Sequence, residues 1–451
     1  MNTTAVRTNK SNKTIFAADL FCGGGGTSTG LWMAAADLGL QIEWVAVNHW
    51  DVAIDTIKLN HPGINVKNSD LERLDPFECV PNGYLDLLVA SPECTHFSRA
   101  SGGKPKNKQS RASIKYILKW VNALNVQDVL IENVPEFITW GPLHRTCTCS
   151  VGLRKPDSSI KHEKKCLYQK PIQSRKGEYF YRFVNKMQEL GYAVKWRVLT
   201  TADYGNATTR QRLFIMARKT KGIIWPKASH HKHGGDMFGS LPKWPAAREI
   251  IDWGVKGKSI FNRKTPLVEK TLKRISAGLV KYSGSAFVLG QQSGSSPRSV
   301  NSPLPTIATA GKISLIEPFI VQADQGGAVH SIDHPMPTIT SADSFALIDP
   351  FIVEYYGTGT AQSVDEPLNT ITSRDRFALI EPIVFERNGK QYLLDIRHRM
   401  LMPSELAAAM GFPKEYIFTG SRENMVKQIG NAVPVGMARA LCRTLISTLV
   451  N

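Results

Sequence analysis

Short apolar runs punctuate the first half of the chain. Residues 15–21, 44–48, 84–90 and 126–131 are almost continuously apolar. Each reads as a strand buried on both faces, because a half-solvated strand would alternate apolar and polar positions. Between the first two lies a helical stretch, residues 27–38, with Thr27 or Ser28 as its N-cap. A second helix follows His49-Trp50-Asp51 and runs to Asn60. Residues 193–199 and 212–217 read as an antiparallel strand pair. Strands alternating with helices predict an α/β fold, here a mostly parallel sheet with an antiparallel hairpin at its edge.

From Gly222 the texture changes to Gly, Ser, Pro, Thr and short apolar pairs. Pro305-Thr306-Ile307, Pro337-Thr338-Ile339 and Asn369-Thr370-Ile371 recur at a step of 32 (339 − 307 and 371 − 339). Glu317-Pro318-Phe319, Asp349-Pro350-Phe351 and Glu381-Pro382-Ile383 keep that step. A fixed period of this size marks a repeated supersecondary unit. Residues 1–220 therefore form a first domain, with a polar insertion at 141–171. Residues 221–392 form a smaller β-rich domain with three repeats over about 290–385. Residues 393–451 return to the first domain and end in a helix that opens near 426 and runs to about 449.

Composition narrows the function classes. The formal charge is +18 and the pI about 9.5, which points to a polyanionic partner, nucleic acid first. No run is apolar and long enough to cross a membrane, and the polar start shows no signal peptide. Seven cysteines at irregular spacing argue against a disulfide framework and suit a reducing cytoplasm.

Five places carry candidate chemistry. Strand 15–21 runs into Cys22-Gly23-Gly24-Gly25-Gly26 and a helix; glycines admit a ligand close to the backbone, and a helix N-terminus favours a negative group. Such a turn also occurs without a ligand. Cys94 follows strand 84–90, at the strand end where open α/β sheets place their chemistry. Its alternative is a small packing residue. Glu132 ends strand 126–131, and a carboxylate so placed is a functional candidate. Arg210 and Arg212 point the same way if both lie on the strand. In the insertion, Cys147, Cys149, His162 and Cys166 approach the spacing of a structural zinc site, though only one residue separates the first pair. A loop with incidental cysteines is the other reading.

The glycine turn, the Cys94 stretch, Glu132-Asn133-Val134 and the Gly430-Asn431 pair together resemble the DNA cytosine-5 methyltransferase family, over the first ~220 residues and the last ~55. The resemblance implies a Rossmann-like S-adenosylmethionine-dependent fold with a target-recognition domain. It implies a cofactor site of Asp19, Phe21, Gly23, Gly25, Gly26, His49, Trp50, Asp70 and Asn431. Cys94 would be the nucleophile, Glu132 would bind the N3 edge of cytosine, Arg212 its O2, and Arg210 would help fix the site. Residues 99–115, with Gly102, Gly103, Lys104, Lys106, Lys108, Arg111 and Lys115, match a loop that closes over DNA. Tyr355, Tyr356, Gln291, Gln292, Gln322 and Gln325 in the repeat loops are candidate readers of base edges. Three positions depart from the family pattern. Glu93 replaces a proline, His49 an acidic residue, and Thr208 a glutamine.

The implied activity is methylation of C5 of cytosine in duplex DNA by a monomer in the cytoplasm. A restriction-modification setting would add a cognate endonuclease as partner. Modification of tRNA cytosine, a DNA-binding module without catalysis, and transfer of another group are the competing readings.

Overall fold

In the computed structural model the described residues are 13–92, 113–147, 167–220, 222–235, 241–260, scattered positions from 263 to 281, 287–290, 295–307, 309, 313–321, 329–331, 351–354, 361–363, 377–380, 383–387 and 390–450. They form two compact units. One comprises Met1–Pro245, Pro305–Gly311 and Leu406–Asn451; the other comprises Ala246–Leu304 and Lys312–Glu405.

The first unit is built on β1 (Thr14–Leu20), α1 (Gly26–Asp37), β2 (Gln41–Asn48), α2 (Asp51–Asn60), β3 (Asn65–Asn68), α3 (Pro76–Cys79), β4 (Tyr84–Ala90), α4 (Ile114–Ala123) and β5 (Asn125–Asn133). A hairpin of β6 (Leu143–Cys147) and β7 (Leu167–Pro171) follows, then α5 (Glu178–Glu189), β8 (Ala193–Thr200) and β9 (Gln211–Arg218). The sheet order is β3-β2-β1-β4-β5-β9-β8. β1 to β5 run parallel, and β9 is antiparallel to both β5 and β8. The α/β reading with an antiparallel edge therefore holds. Leu88 and Ala90 face a core with Trp120, Phe180 and Ile215. Leu87 and Val89 face the opposite core with Leu31, Leu441 and Ile446. Burial on both faces is why these strands show no alternation in sequence.

Two local expectations change. The N-cap of α1 is Gly25, at φ 83°, and neither Thr27 nor Ser28. Ser28 lies inside the helix, and its hydroxyl donates to Asp19 Oδ2 at 2.6 Å. The C-terminal helix is two helices after α6 (Pro403–Ala409): α7 (Arg422–Asn431), capped by Ser421, and α8 (Val435–Val450). Ala432 takes an extended conformation, φ −61° and ψ 149°. Pro434, which lacks an N–H and disfavours helix in the residue before it, precedes the new start. Asn431 thus closes one helix and does not open the next.

In the second unit, β10 (Lys258–Ser259), β11 (Phe287–Gly290), β12 (Arg298–Ser299), β13 (Ile313–Val321), β14 (Val329–Ser331), β18 (Ile383–Arg387) and β19 (Lys390–Met400) share one antiparallel sheet. β15 (Phe351–Glu354), β16 (Ala361–Ser363) and β17 (Phe377–Ile380) form another. Phe287 pairs with Ser299, Phe319 with Ser331, and Phe351 with Ser363. Each pairing is the previous one moved by 32 residues, so the repeat is one of backbone register and reaches back to Phe287. The sequence boundaries at 220 and 392 fall inside the units. Residues 222–245 hold to the first unit through Asp203, whose carbonyl accepts from Ser229 and His230 N and whose carboxylate accepts from Trp244 Nε1 at 2.9 Å. β19 continues to 400 as a strand of the second unit. Arg399 is fixed there by a buried double contact to Glu405, at 2.9 and 2.8 Å.

Candidate active site

Register places the site. Leu20, Ala90 and Ile131 stand side by side on β1, β4 and β5. Phe21 and Ser91 then leave the sheet, while Glu132 stays on β5, paired with Phe214 of β9, at the same carboxyl edge. β1 lies between β2 and β4, so chain order reverses there, which is where open α/β sheets bind ligands.

The turn after β1 is shaped for close approach. Phe21 has φ 60°, the one described non-glycine residue with positive φ. A strained residue of this kind persists where its surroundings fix it, and such residues cluster at functional sites. Gly23, at φ 53°, is open: a Cβ there would meet only Phe21 O, at 3.9 Å. Gly25 and Gly26 differ, since a Cβ would strike Tyr416 Oη at the first and Val433 O at the second. Asp19 is fully buried, and burial pushes its carboxyl up to about 7 against the pull of Ser28. Its Oδ1 is buried without a hydrogen-bond partner, as is Gln428 Oε1. Orphaned acceptors beside an open glycine turn fit a ligand that donates hydrogen bonds, such as S-adenosylmethionine.

The far end of the chain closes this turn. Tyr416 Oη donates to Gly24 O at 2.9 Å, and Gln428 Nε2 to Thr419 O at 3.0 Å. Lys427 Nζ lies 4.4 Å from the ring centroid of Trp50. Sequence reasoning missed Tyr416, Gln428 and Lys427, because no local signal shows that residues 416–428 pack on residues 24–50. Trp50 is half-buried as the N-cap of α2, His49 is exposed, and both backbone N–H groups donate to Asn48 Oδ1. Asp70 is exposed and caps its own turn through Glu72 N at 3.0 Å. Asn431 is also exposed.

Cys94, Glu93 and residues 99–112 lie outside the described residues, but the start of their loop is fixed. Ser91 N donates to Leu20 O at 3.1 Å. Asn133 Nδ2, buried, donates to Pro92 O at 3.2 Å, while its Oδ1 accepts from Val134 N. Asn133 is thus a positioning residue two places before Cys94 that the sequence reading did not single out. Glu132 is 8% exposed and faces Arg212, with Nε to Oε1 at 3.0 Å. Burial raises its pKa above the ordinary 4.5, and the charges of Arg212 and Arg210 oppose that rise. A carboxyl so balanced can hold a proton or share one with a ring nitrogen. The two arginines do not share a task. Arg212, on β9, meets Glu132; Arg210 precedes the strand and donates to Ile307 O and Gly430 O.

The zinc proposal gains no support. Among the described residues no group of three His, Cys, Asp or Glu side chains is arranged to hold a metal. Cys149, His162 and Cys166 lie outside the described residues, and Cys147 is described only as the last residue of β6, paired with Leu167. The base-reading candidates Gln291, Gln292, Gln322, Gln325, Tyr355 and Tyr356 also lie outside them. Among the described residues no helix is long and apolar enough to cross a membrane.

A glycine turn, the end of the strand that leads to Cys94, and a buried acid–arginine pair thus share one carboxyl edge of the sheet. The C-5 cytosine-specific DNA methylase family matches residues 15–142 and 171–447, and the chain belongs to that family. The unmatched interval coincides with the hairpin insertion. The type II methyltransferase M.Sau3AI of Staphylococcus aureus is 46% identical over 218 residues, 46% of this chain and 43% of that protein. M1.HphI of Haemophilus parahaemolyticus is 25% identical over 260 residues, 56% of this chain and 59% of that one. The chain spans about half the length of these curated relatives. The structures of Spodoptera frugiperda DNMT2 and Entamoeba histolytica EhMeth share the fold. Both have TM-score 0.51, at 18% and 13% identity; they cover 96% and 97% of this chain, and in each case 99% of the other.

Proposed function

We propose that the protein methylates C5 of cytosine within a specific sequence of duplex DNA. The observation that carries this reading is the buried Glu132–Arg212 pair on the same sheet edge as the end of β4, the strand that precedes Cys94 in the chain. S-adenosylmethionine, when bound, supplies an electrophilic methyl group, and Asp19, Phe21, Gly23, Trp50 and the 428–431 turn are the residues that would hold it. Cys94, as thiolate, adds to C6 of the base and leaves C5 electron-rich. Glu132 neutralises the N3 edge, where positive charge collects on protonation, and Arg212 keeps Glu132 oriented and faces O2. Once C5 carries its new substituent, loss of the C5 proton expels Cys94 from C6. A stacked base is out of reach of such a pocket, so the cytosine is flipped out of the duplex at a cost of a few kcal/mol.

The repeat region is the proposed target-recognition domain, and cations in residues 99–115 meet phosphates. The protein acts as a monomer in the cytoplasm and protects self DNA, with a cognate endonuclease as the companion activity. The test is incubation with labelled S-adenosylmethionine and either duplex DNA or tRNA. Label in DNA, lost in Cys94→Ala and cut at least a hundredfold in Glu132→Gln, is expected. Label in tRNA alone, or undiminished label in Cys94→Ala, refutes the reading. Trapping on duplexes carrying 5-fluorocytosine tests the covalent step directly.

A further inference from the structure

Arg210 and Thr208 hold main chain. Arg210 is 3% exposed, and its Nη1 donates to Ile307 O at 3.1 Å and Gly430 O at 2.8 Å. Thr208 is fully buried and donates from Oγ1 to Pro305 O at 3.2 Å, while its own carbonyl accepts from Thr201 Oγ1 at 2.6 Å. Three carbonyls from two distant stretches are thus held by one short connection between β8 and β9. Pro305–Gly311 belongs to the first unit, although the chain on both sides of it belongs to the second. It is also the first of the three Pro/Asn-Thr-Ile segments that recur every 32 residues.

We propose that Arg210, with Thr208, is a positioning clamp. It fixes the Pro305-Thr306-Ile307 segment against the turn at Gly430, which precedes Asn431 at the cofactor end. The placement of a segment carried by the repeat region and the placement of the cofactor-side turn then become one event. The chemistry suits a guanidinium, whose several N–H groups reach two acceptors at once, where an ammonium is a single point charge. The acceptors are neutral carbonyls, so the buried charge is compensated partly by the Glu132 carboxylate, which feels Arg210. The contacts to this segment are to main-chain oxygens, and Ile307 itself is fully buried. A threonine where the family has glutamine fits this task, since a short hydroxyl reaches Pro305 O from inside the fold.

The kinetic arm of the test rests on the methyltransferase reading, whereas the spectroscopic arm does not. The full chain is labelled with 13C at isoleucine methyls, because Ile307 and Ile429, both fully buried, report the two ends of the clamp. Arg210→Met is expected to shift both signals, and Thr208→Val that of Ile307 alone. In kinetics, Arg210→Met raises KM for DNA and for S-adenosylmethionine together, on the order of tenfold each as a charged hydrogen bond is lost, with a smaller fall in kcat. Thr208→Val raises KM for DNA alone. A side chain that only stabilised the fold would lower the active fraction and leave both KM values in place, and that result overturns the proposal. Unmoved Ile307 and Ile429 signals in Arg210→Met overturn it as well. If Arg210→Met does not fold, an unshifted Ile307 signal in Thr208→Val decides against it. If the wild-type protein methylates no DNA, the isoleucine signals still decide.

Discussion

Asp19 gives the fold a pH dependence whose size follows from its position. Its carboxyl is fully buried at the end of β1, and burial pushes its pKa to about 7 from an ordinary 3.8. One pH unit of such displacement corresponds to about 1.4 kcal/mol, so ionising Asp19 at neutral pH costs the fold about 4 kcal/mol. Because the folded pKa is the higher one, the contribution is fully present below the unfolded value and disappears as pH rises through 7. Between pH 5 and pH 8 the change is about 2.5 kcal/mol. Asp19→Asn removes the titration and keeps an oxygen to accept from Ser28 Oγ. Urea unfolding of both proteins at pH 5, 6, 7 and 8 measures the difference. The stability of the variant relative to wild type should climb by about 2.5 kcal/mol across that range. A gap that stays constant with pH would refute the reasoning, because it would mean that Asp19 is ionised in the fold across the whole range.

His61 works in the opposite direction. It packs edge-on against Trp32, Trp44 and Tyr416, and burial lowers its pKa from 6.5 to about 4. Its contribution is present above pH 6.5 and is lost as pH falls through 4, so His61→Gln should flatten the acid limb of the stability curve by about 3 kcal/mol in the same urea assay. Arg218 meets Asp128 through two contacts, at 2.9 and 2.7 Å, with both side chains almost wholly buried. Arg218→Met strands a buried carboxylate and should cost about 3–5 kcal/mol at neutral pH, much of which Asp128→Leu in the same chain restores. An Arg218→Met protein as stable as wild type would show that Asp128 is neutral in the fold.

The strands were legible because burial on both faces leaves an unbroken apolar record, as in residues 84–90. Glu132, Asp19 and the glycine turn were legible because they end such strands. What escaped depended on chain reversal. The alternation that would put Arg210 beside Arg212 applies only within a strand, and β9 begins at Gln211. Lys427 over Trp50 and Tyr416 over Gly25 are contacts across more than 350 positions of sequence, with no local pattern to announce them. The 32-residue period likewise hides that its first Pro-Thr-Ile segment belongs to the other unit.

The glycine turn shows how far a motif can mislead about its own purpose. Read locally, each glycine makes room for a ligand. In the fold, Gly24 is backed by Gln428 and Phe418, Gly25 by Tyr416, Gly26 by Val433, and Gly30 in α1 by Ala438. All of these neighbours come from the last forty or so residues of the chain. Within the turn, Gly23 alone combines positive φ with open space on its Cβ side. The run of small residues therefore answers two demands at once. One position leaves open space beside the backbone, and the others let the C-terminal segment lie against it. The pocket and the closure of the chain are then set by the same few residues, so a side chain added at Gly26 would disturb the fold before it reached any ligand.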